Sequence, residues 1–218
     1  MRKLDTDPRL LLSSANHSLG PASARLQIVE FADFECPPCR HVAPELQALL
    51  ARYNGQIRLV QRELPNERLH PQAQRAAEIA ECFGEQGKFW EAAGELYHSP
   101  SVPNDRELGV WAARMGLVEP ELTACIAQHK SATQMLRDRQ DARALGVYAT
   151  PTLFIGNTVL EGSAPLEKLD ALVRYEMAGH TNSIASANEQ SAGPRSGCAV
   201  QPEAESTDVK KDKETSCH

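Results

Sequence analysis

Along residues 26 to 33, LQIVEFAD, apolar positions follow one another with only weak alternation, the pattern of a strand covered on both faces. From Pro37 to about Tyr53 the apolar residues Val42, Leu46, Leu49, Leu50 and Tyr53 recur at steps of three and four, which predicts an amphipathic helix. Asn54-Gly55 supplies its stop, and Pro44, inside it, removes one backbone donor and predicts a kink. Residues 57 to 64, IRLVQREL, alternate well enough for a second strand, so the order is β, α, β. Residues 71 to 97 are rich in Ala and Glu with few β-branched types, and are helical territory interrupted at Gly84 and Gly87. Asp105 reads as the cap of a further helix carrying Leu108, Trp111 and Met115, with two shorter helices near 119 to 129 and 131 to 145. Strand chemistry returns at TPTLFIGNTVLEG, residues 150 to 162, where Gly156-Asn157 is a hairpin turn. Pro165 then opens a last helix ending near Gly179.

This pattern divides the chain into an N-terminal arm (1–23), a first α/β part (24–66), a helical insertion (67–145), a second α/β part (146–179) and a polar tail (180–218). The tail has almost no large apolar residue and is expected to be disordered, because burial there cannot offset its ordering entropy. A length of 218 residues with 41% hydrophobic content supports one domain with an insertion. The net charge of −6, with both signs interleaved, offers no basic stripe and excludes nucleic acid and anionic membrane surfaces as expected partners. No segment approaches the roughly 18 apolar residues of a membrane span. Leu10 to Leu12 is too short for a secretory apolar region, so the expected location is cytoplasmic, or extracytoplasmic if the N-terminus is a processed or misassigned start.

The six cysteines fall into three settings: the close pair Cys36 and Cys39, Cys82 and Cys125 in helical stretches, and Cys198 and Cys217 in the tail. Cys36 stands where the first strand becomes the first helix, with Pro37 and Pro38 filling the next two positions. The positive end of a helix stabilises a thiolate, the reactive form of cysteine. Cys39 lies one turn in, within reach of the Cys36 sulfur, so the outer sulfur can exchange with an incoming thiol or disulfide and the inner one can resolve the product. The two prolines delete two of the free N–H donors at that helix end. A Cys36 pKa nearer about 7 than about 3.5 is therefore expected. Two other readings stand beside this one: a pair of inert buried thiols, and a metal site completed by Cys198, Cys217 and His218 of the tail.

IVEFADFECPPC, then HPQAQRAAEIAECFGEQGKFWEA, then ALGVYATPTLFIG, taken in order over about residues 19 to 178, resemble the DsbA-like branch of the thioredoxin superfamily. The resemblance implies an α/β, thioredoxin-like fold with an inserted all-helical domain. It implies a thiol-disulfide oxidoreductase with Cys36 and Cys39 as the catalytic pair and redox-active disulfide. Thr150 and a cis Pro151 would shape the substrate groove. The implied partners are protein or peptide thiols and disulfides together with an unidentified redox partner. No organic cofactor is implied, since the cysteines carry the electrons. Some members of that branch carry a second bridge in the helical block, here Cys82 with Cys125. The expected cytoplasmic location argues for two free buried thiols instead, and that is the default reading. Glu30 and Asp33 are candidate acceptors for the Cys39 proton, against simple solvation at a strand edge. His41 reads as a solvated helix residue and His70 as a turn residue. The alternative function is metal handling through Cys36, Cys39 and the tail cysteines.

Overall fold

The computed structural model describes residues 2–3 and 17–189. The strands are β1 (Arg2–Lys3), β2 (His17–Leu19), β3 (Leu26–Ala32), β4 (Ile57–Glu63), β5 (Thr152–Ile155) and β6 (Thr158–Glu161). The helices are α1 (Pro37–Tyr53), α2 (Ala73–Glu85), α3 (Phe89–His98), α4 (Asp105–Met115), α5 (Glu119–Ala127), α6 (Ala132–Ala144) and α7 (Leu166–Glu189). The strands form one sheet in the order β1-β6-β5-β3-β4-β2. Within it β3 and β4 run parallel and every other pairing is antiparallel.

Both faces of β3 are covered, as its unbroken apolar run requires. On one face Leu26 and Ile28 pack with Val42, Leu46 and Leu49 of α1 and with Leu169 and Val173 of α7. On the other, Val29, Phe31, Val60 and Phe154 meet Ala142, Leu145 and Val147 from the end of α6. A separate cluster joins α2, α3, α4 and α5 through Ala76, Phe83, Leu96, Leu108 and Leu122, and Phe34 enters it from the segment just before Cys36. The helical insertion thus has its own core, linked to the sheet beside the cysteine pair.

Cys82 of α2 and Cys125 of α5 are joined by a disulfide, with their Cα atoms 5.8 Å apart. This overturns the default of two free thiols. The α2 and α5 faces that bury them also bring them to bridging distance, a relation between helices that neither helix reveals alone.

Part of the N-terminal arm joins the sheet: β2 pairs with β4 at the sheet edge, and His17 stacks on Phe89 with ring centroids 3.9 Å apart. Two local expectations are revised. The cap of α4 is Asn104 rather than Asp105, because its side chain accepts from Glu107 N–H while Glu107 reaches back to Asn104 N–H. Helix α7 runs past Gly179 to Glu189, and the remainder of the expected tail, including Cys198 and Cys217, lies outside the described residues. Arg62 is fully buried on β4, where it donates to Asp138 and Asp141 of α6 and lies 5.0 Å from the Phe31 ring centre. It fastens the insertion to the sheet by a paired charge.

Candidate active site

Cys36 occupies the N-cap of α1 in an extended conformation, with Pro37 and Pro38 in the first turn. Its carbonyl accepts from Cys39 N–H at 3.0 Å and from Arg40 N–H at 3.1 Å, so the helix starts on Cys36 itself. Cys39, one turn in, is fully buried, whereas Cys36 keeps 5% of its surface exposed. The outer and inner sulfurs are therefore distinct, although the opening at Cys36 is narrow.

Three segments hold this turn. Asp33 anchors the strand end: its carbonyl accepts from Cys36 N–H, one carboxylate oxygen accepts from Glu35 N–H at 2.9 Å, and the other takes Asn66 N–H at 3.0 Å and His70 Nδ1 at 2.7 Å. His70 is thus fixed by an acid rather than serving only in a turn. Arg40 donates to Phe34 O at 3.2 Å and Ser99 O at 2.6 Å, tying α1 to the end of α3. From the far side, Thr150 O accepts from the Cys36 thiol at 3.3 Å, and the Thr150-Pro151 peptide bond is cis, as the resemblance implies. His41 bonds the carbonyl of Pro37, four residues back on its own helix.

The Cys36 thiol is lowered to about 6. The main cause is the hydrogen bond donated by the Cys39 thiol, opposed by burial and supported by the Thr150 side chain. Burial, then this same donation to Cys36, pushes the Cys39 thiol far up. The pair therefore shares one proton unequally, with Cys36 as the thiolate. A value near 6 lies closer to about 7 than to about 3.5. The dominant cause is the neighbouring sulfur rather than the helix end. Alkylation of Cys36 in the reduced protein is expected to accelerate as pH rises through about 6 and to level off above it. A midpoint in the ordinary thiol range, measured by stopped-flow alkylation, would contradict this assignment of the thiolate.

Glu30, on β3, is buried, and burial first, then the charge of Cys36, raises its carboxyl to about 8. Glu30 Oε1, Trp90 Nε1 and Tyr97 Oη are buried with no hydrogen-bond partner among the described residues. All three residues border one cavity of about 130 Å³ between α1, α3 and the sheet, which also reaches Arg40 and His98. The cavity wall is mainly apolar, from Ala43, Leu46, Leu59 and Ala93, and these three unpartnered polar atoms are its points for bridging water. Asp33, by contrast, has its carboxylate engaged by three donors, Glu35 N–H, Asn66 N–H and His70 Nδ1. Sequence reasoning named Glu30 and Asp33 together, and it missed Trp90 and Tyr97 as neighbours of the carboxylate because they sit on a helix distant in the chain. Among the described residues no group of three or more metal-ligating side chains converges.

A family model described as Thioredoxin matches residues 13–174. Among curated proteins the chain is 35% identical to Na(+)/H(+) antiporter NhaA 1 of Salinispora arenicola over 75% of this chain and 25% of that protein. It is 30% identical to Na(+)/H(+) antiporter NhaA of Herminiimonas arsenicoxydans over 75% of this chain and 26% of that protein. The chain thus spans about a quarter of the length of the curated relatives it matches. Among solved structures it shares its fold with a thioredoxin-like oxidoreductase from Silicibacter pomeroyi (TM-score 0.68, 24% identity, covering 77% of this chain and 95% of that one). The same fold occurs in BdbD from Bacillus subtilis (TM-score 0.68, 17% identity, 81% and 97%). It recurs in the thiol-disulfide exchange protein α-DsbA2 from Wolbachia pipientis (TM-score 0.67, 21% identity, 76% and 89%).

Proposed function

Because the chain belongs to the thioredoxin family, we propose that it exchanges electrons with protein or peptide thiols and disulfides through Cys36 and Cys39. The observation that carries this is the unequal pair: a thiolate-prone Cys36 at a helix start, facing Thr150, over a buried Cys39. In the reduced state the Cys36 thiolate attacks a substrate disulfide and one substrate thiolate leaves. Cys39 gives up its proton and attacks the Cys36 sulfur, so that the second substrate thiolate leaves and the Cys36–Cys39 bond closes. Two electrons pass to the substrate, and the reverse sequence oxidises a dithiol. Thr150 and Pro151 form the wall against which the substrate chain lies.

The Cys82–Cys125 bridge supports an oxidising compartment, against the cytoplasmic expectation, since cytosolic thiols are kept reduced. Ion transport, which the name of the antiporter relatives states of those proteins, is not carried over. The matched region is a quarter of their length, and no described helix is long and apolar enough to cross a membrane.

Substituting Cys39→Ser tests the proposal. The variant is expected to accumulate mixed disulfides between Cys36 and thiol-bearing partners, visible on non-reducing gels and abolished by Cys36→Ser. A protein that handles metal through these cysteines would lose metal and trap nothing.

A further inference from the structure

Beside Thr150 lies a pocket of about 310 Å³, framed by the segment after β4 and by the end of α6 with the loop that follows it. Three guanidinium groups line it, those of Arg68, Arg139 and Arg143, against the single carboxylate of Glu67. None of the three arginines forms an ion pair with a described residue. Arg68 and Arg143 are exposed and Arg139 half-buried. This is local positive charge on a chain whose net charge is −6. Tyr148, 83% exposed, stands on the same rim, two residues before Thr150. An aromatic ring left in water beside unpaired arginines is the composition of a recognition surface, because Tyr and Arg supply contact area and bidentate anion binding at low entropic cost.

The pocket also touches both supports of the reactive sulfur. Thr150 accepts from the Cys36 thiol, and Asn66, another lining residue, donates its N–H to Asp33, which holds the Cys36 turn. A polypeptide whose cysteine meets Cys36 therefore runs its flanking residues past the arginines.

We propose that this pocket makes the protein selective for substrates with carboxylates within a few residues of the reacting cysteine. The occupant is an acidic polypeptide segment; Arg68, Arg139 and Arg143 take its carboxylates and Tyr148 packs along its backbone. The inference rests on the exchange reading of Cys36 and Cys39 and adds a substrate class to it. The chemistry of the step is unchanged: Cys36 thiolate attacks the substrate sulfur and a thiolate leaves.

Two otherwise identical peptides, one with Glu and one with Gln on either side of a single cysteine, provide the test. Each is activated as a mixed disulfide with neutral thiopyridine and offered to the full chain carrying Cys39→Ser, Cys198→Ser and Cys217→Ser, which leaves Cys36 as the one cysteine outside the Cys82–Cys125 bridge. Attack by Cys36 at the peptide sulfur forms the peptide mixed disulfide and releases thiopyridone, whose absorbance gives the rate. The Glu peptide is expected to react about tenfold faster at low salt, the size of effect that electrostatic steering produces. The ratio should fall toward one as salt shortens the screening length from about 10 Å at 0.1 M to about 3 Å at 1 M. In Arg68→Gln/Arg143→Gln, both sites exposed, the ratio should drop to near one, and in Arg68→Glu/Arg143→Glu it should invert. Equal rates for the two peptides, or a preference that survives both double variants, would overturn the selectivity while leaving exchange intact. Failure of both peptides to react would remove the exchange reading, and this inference with it.

Discussion

Glu30→Leu is expected to slow resolution of a Cys36 mixed disulfide by about a hundredfold while making the protein more stable. Cys39 cannot attack until it loses its proton, and burial holds that proton firmly. Glu30 is the buried carboxylate whose charge acts on Cys39, and its pKa near 8 suits it to take a proton from a reluctant thiol at neutral pH. A positioned acid or base contributes about 10² to 10⁴ in rate, so the loss falls at the low end of that range. The stability effect has the opposite sign. A carboxyl raised from its ordinary value contributes stability below the unfolded pKa and loses it as pH rises through the folded value, here about 8. At pH 7 the wild-type chain carries a cost of about 3 kcal/mol at Glu30, growing toward pH 8, which an apolar side chain does not incur. Denaturant melts at pH 5, 7 and 8.5, set beside single-turnover resolution rates over the same range, give both readings. If resolution keeps its wild-type rate and pH profile, Glu30 is not the proton acceptor. If the variant loses stability instead, the carboxylate is structural.

The second large effect concerns the insertion. Replacing both Cys82 and Cys125 by Ala should cost about 4 kcal/mol, the chain-entropy value for a closed loop of this length; the bridged residues are 43 apart in sequence. Domains of this kind hold only about 5–15 kcal/mol in total, so the variant should melt far earlier in denaturant. The alkylation midpoint of Cys36 should stay near pH 6, because the bridge lies outside the segments that hold the pair. A shift in that midpoint would tie the bridge to the reactive sulfur, and a loss below about 1 kcal/mol would make it dispensable to the fold.

The β3–α1–β4 unit and the β5–β6 hairpin are legible because each announces itself within a few residues, by apolar period, by Asn54-Gly55 and by Gly156-Asn157. The pair Cys36 and Cys39 is equally plain, since a strand-to-helix junction with Pro at the first helical positions has few other uses. What was hidden depends on partners far along the chain. Nothing local to Arg62 in the run IRLVQREL points to Asp138, 76 residues on, which is brought against it in the fold. Asp33 looks like a strand-edge acid until Asn66 and His70 fold back over it. β2 is three residues long, too short for any period to show. The meeting of Cys36 with Thr150 was reachable only through family resemblance, because nothing local to Thr150 distinguishes it.

That last contact spans 114 residues, and it has a consequence for biogenesis. Made from its N-terminus at about 5–20 residues per second, a nascent chain exposes Cys36 on the order of ten seconds before Thr150 is synthesised. In that interval Cys82 and Cys125 also emerge, so four thiols coexist while β5, the neighbour of β3 in the finished sheet, has yet to be made. Four cysteines can join in three ways as two bridges. Only the arrangement that links 82 to 125 leaves the reactive pair to each other. Productive maturation therefore turns on whether α2 and α5 dock before an outside oxidant reaches the unshielded N-terminal sulfurs.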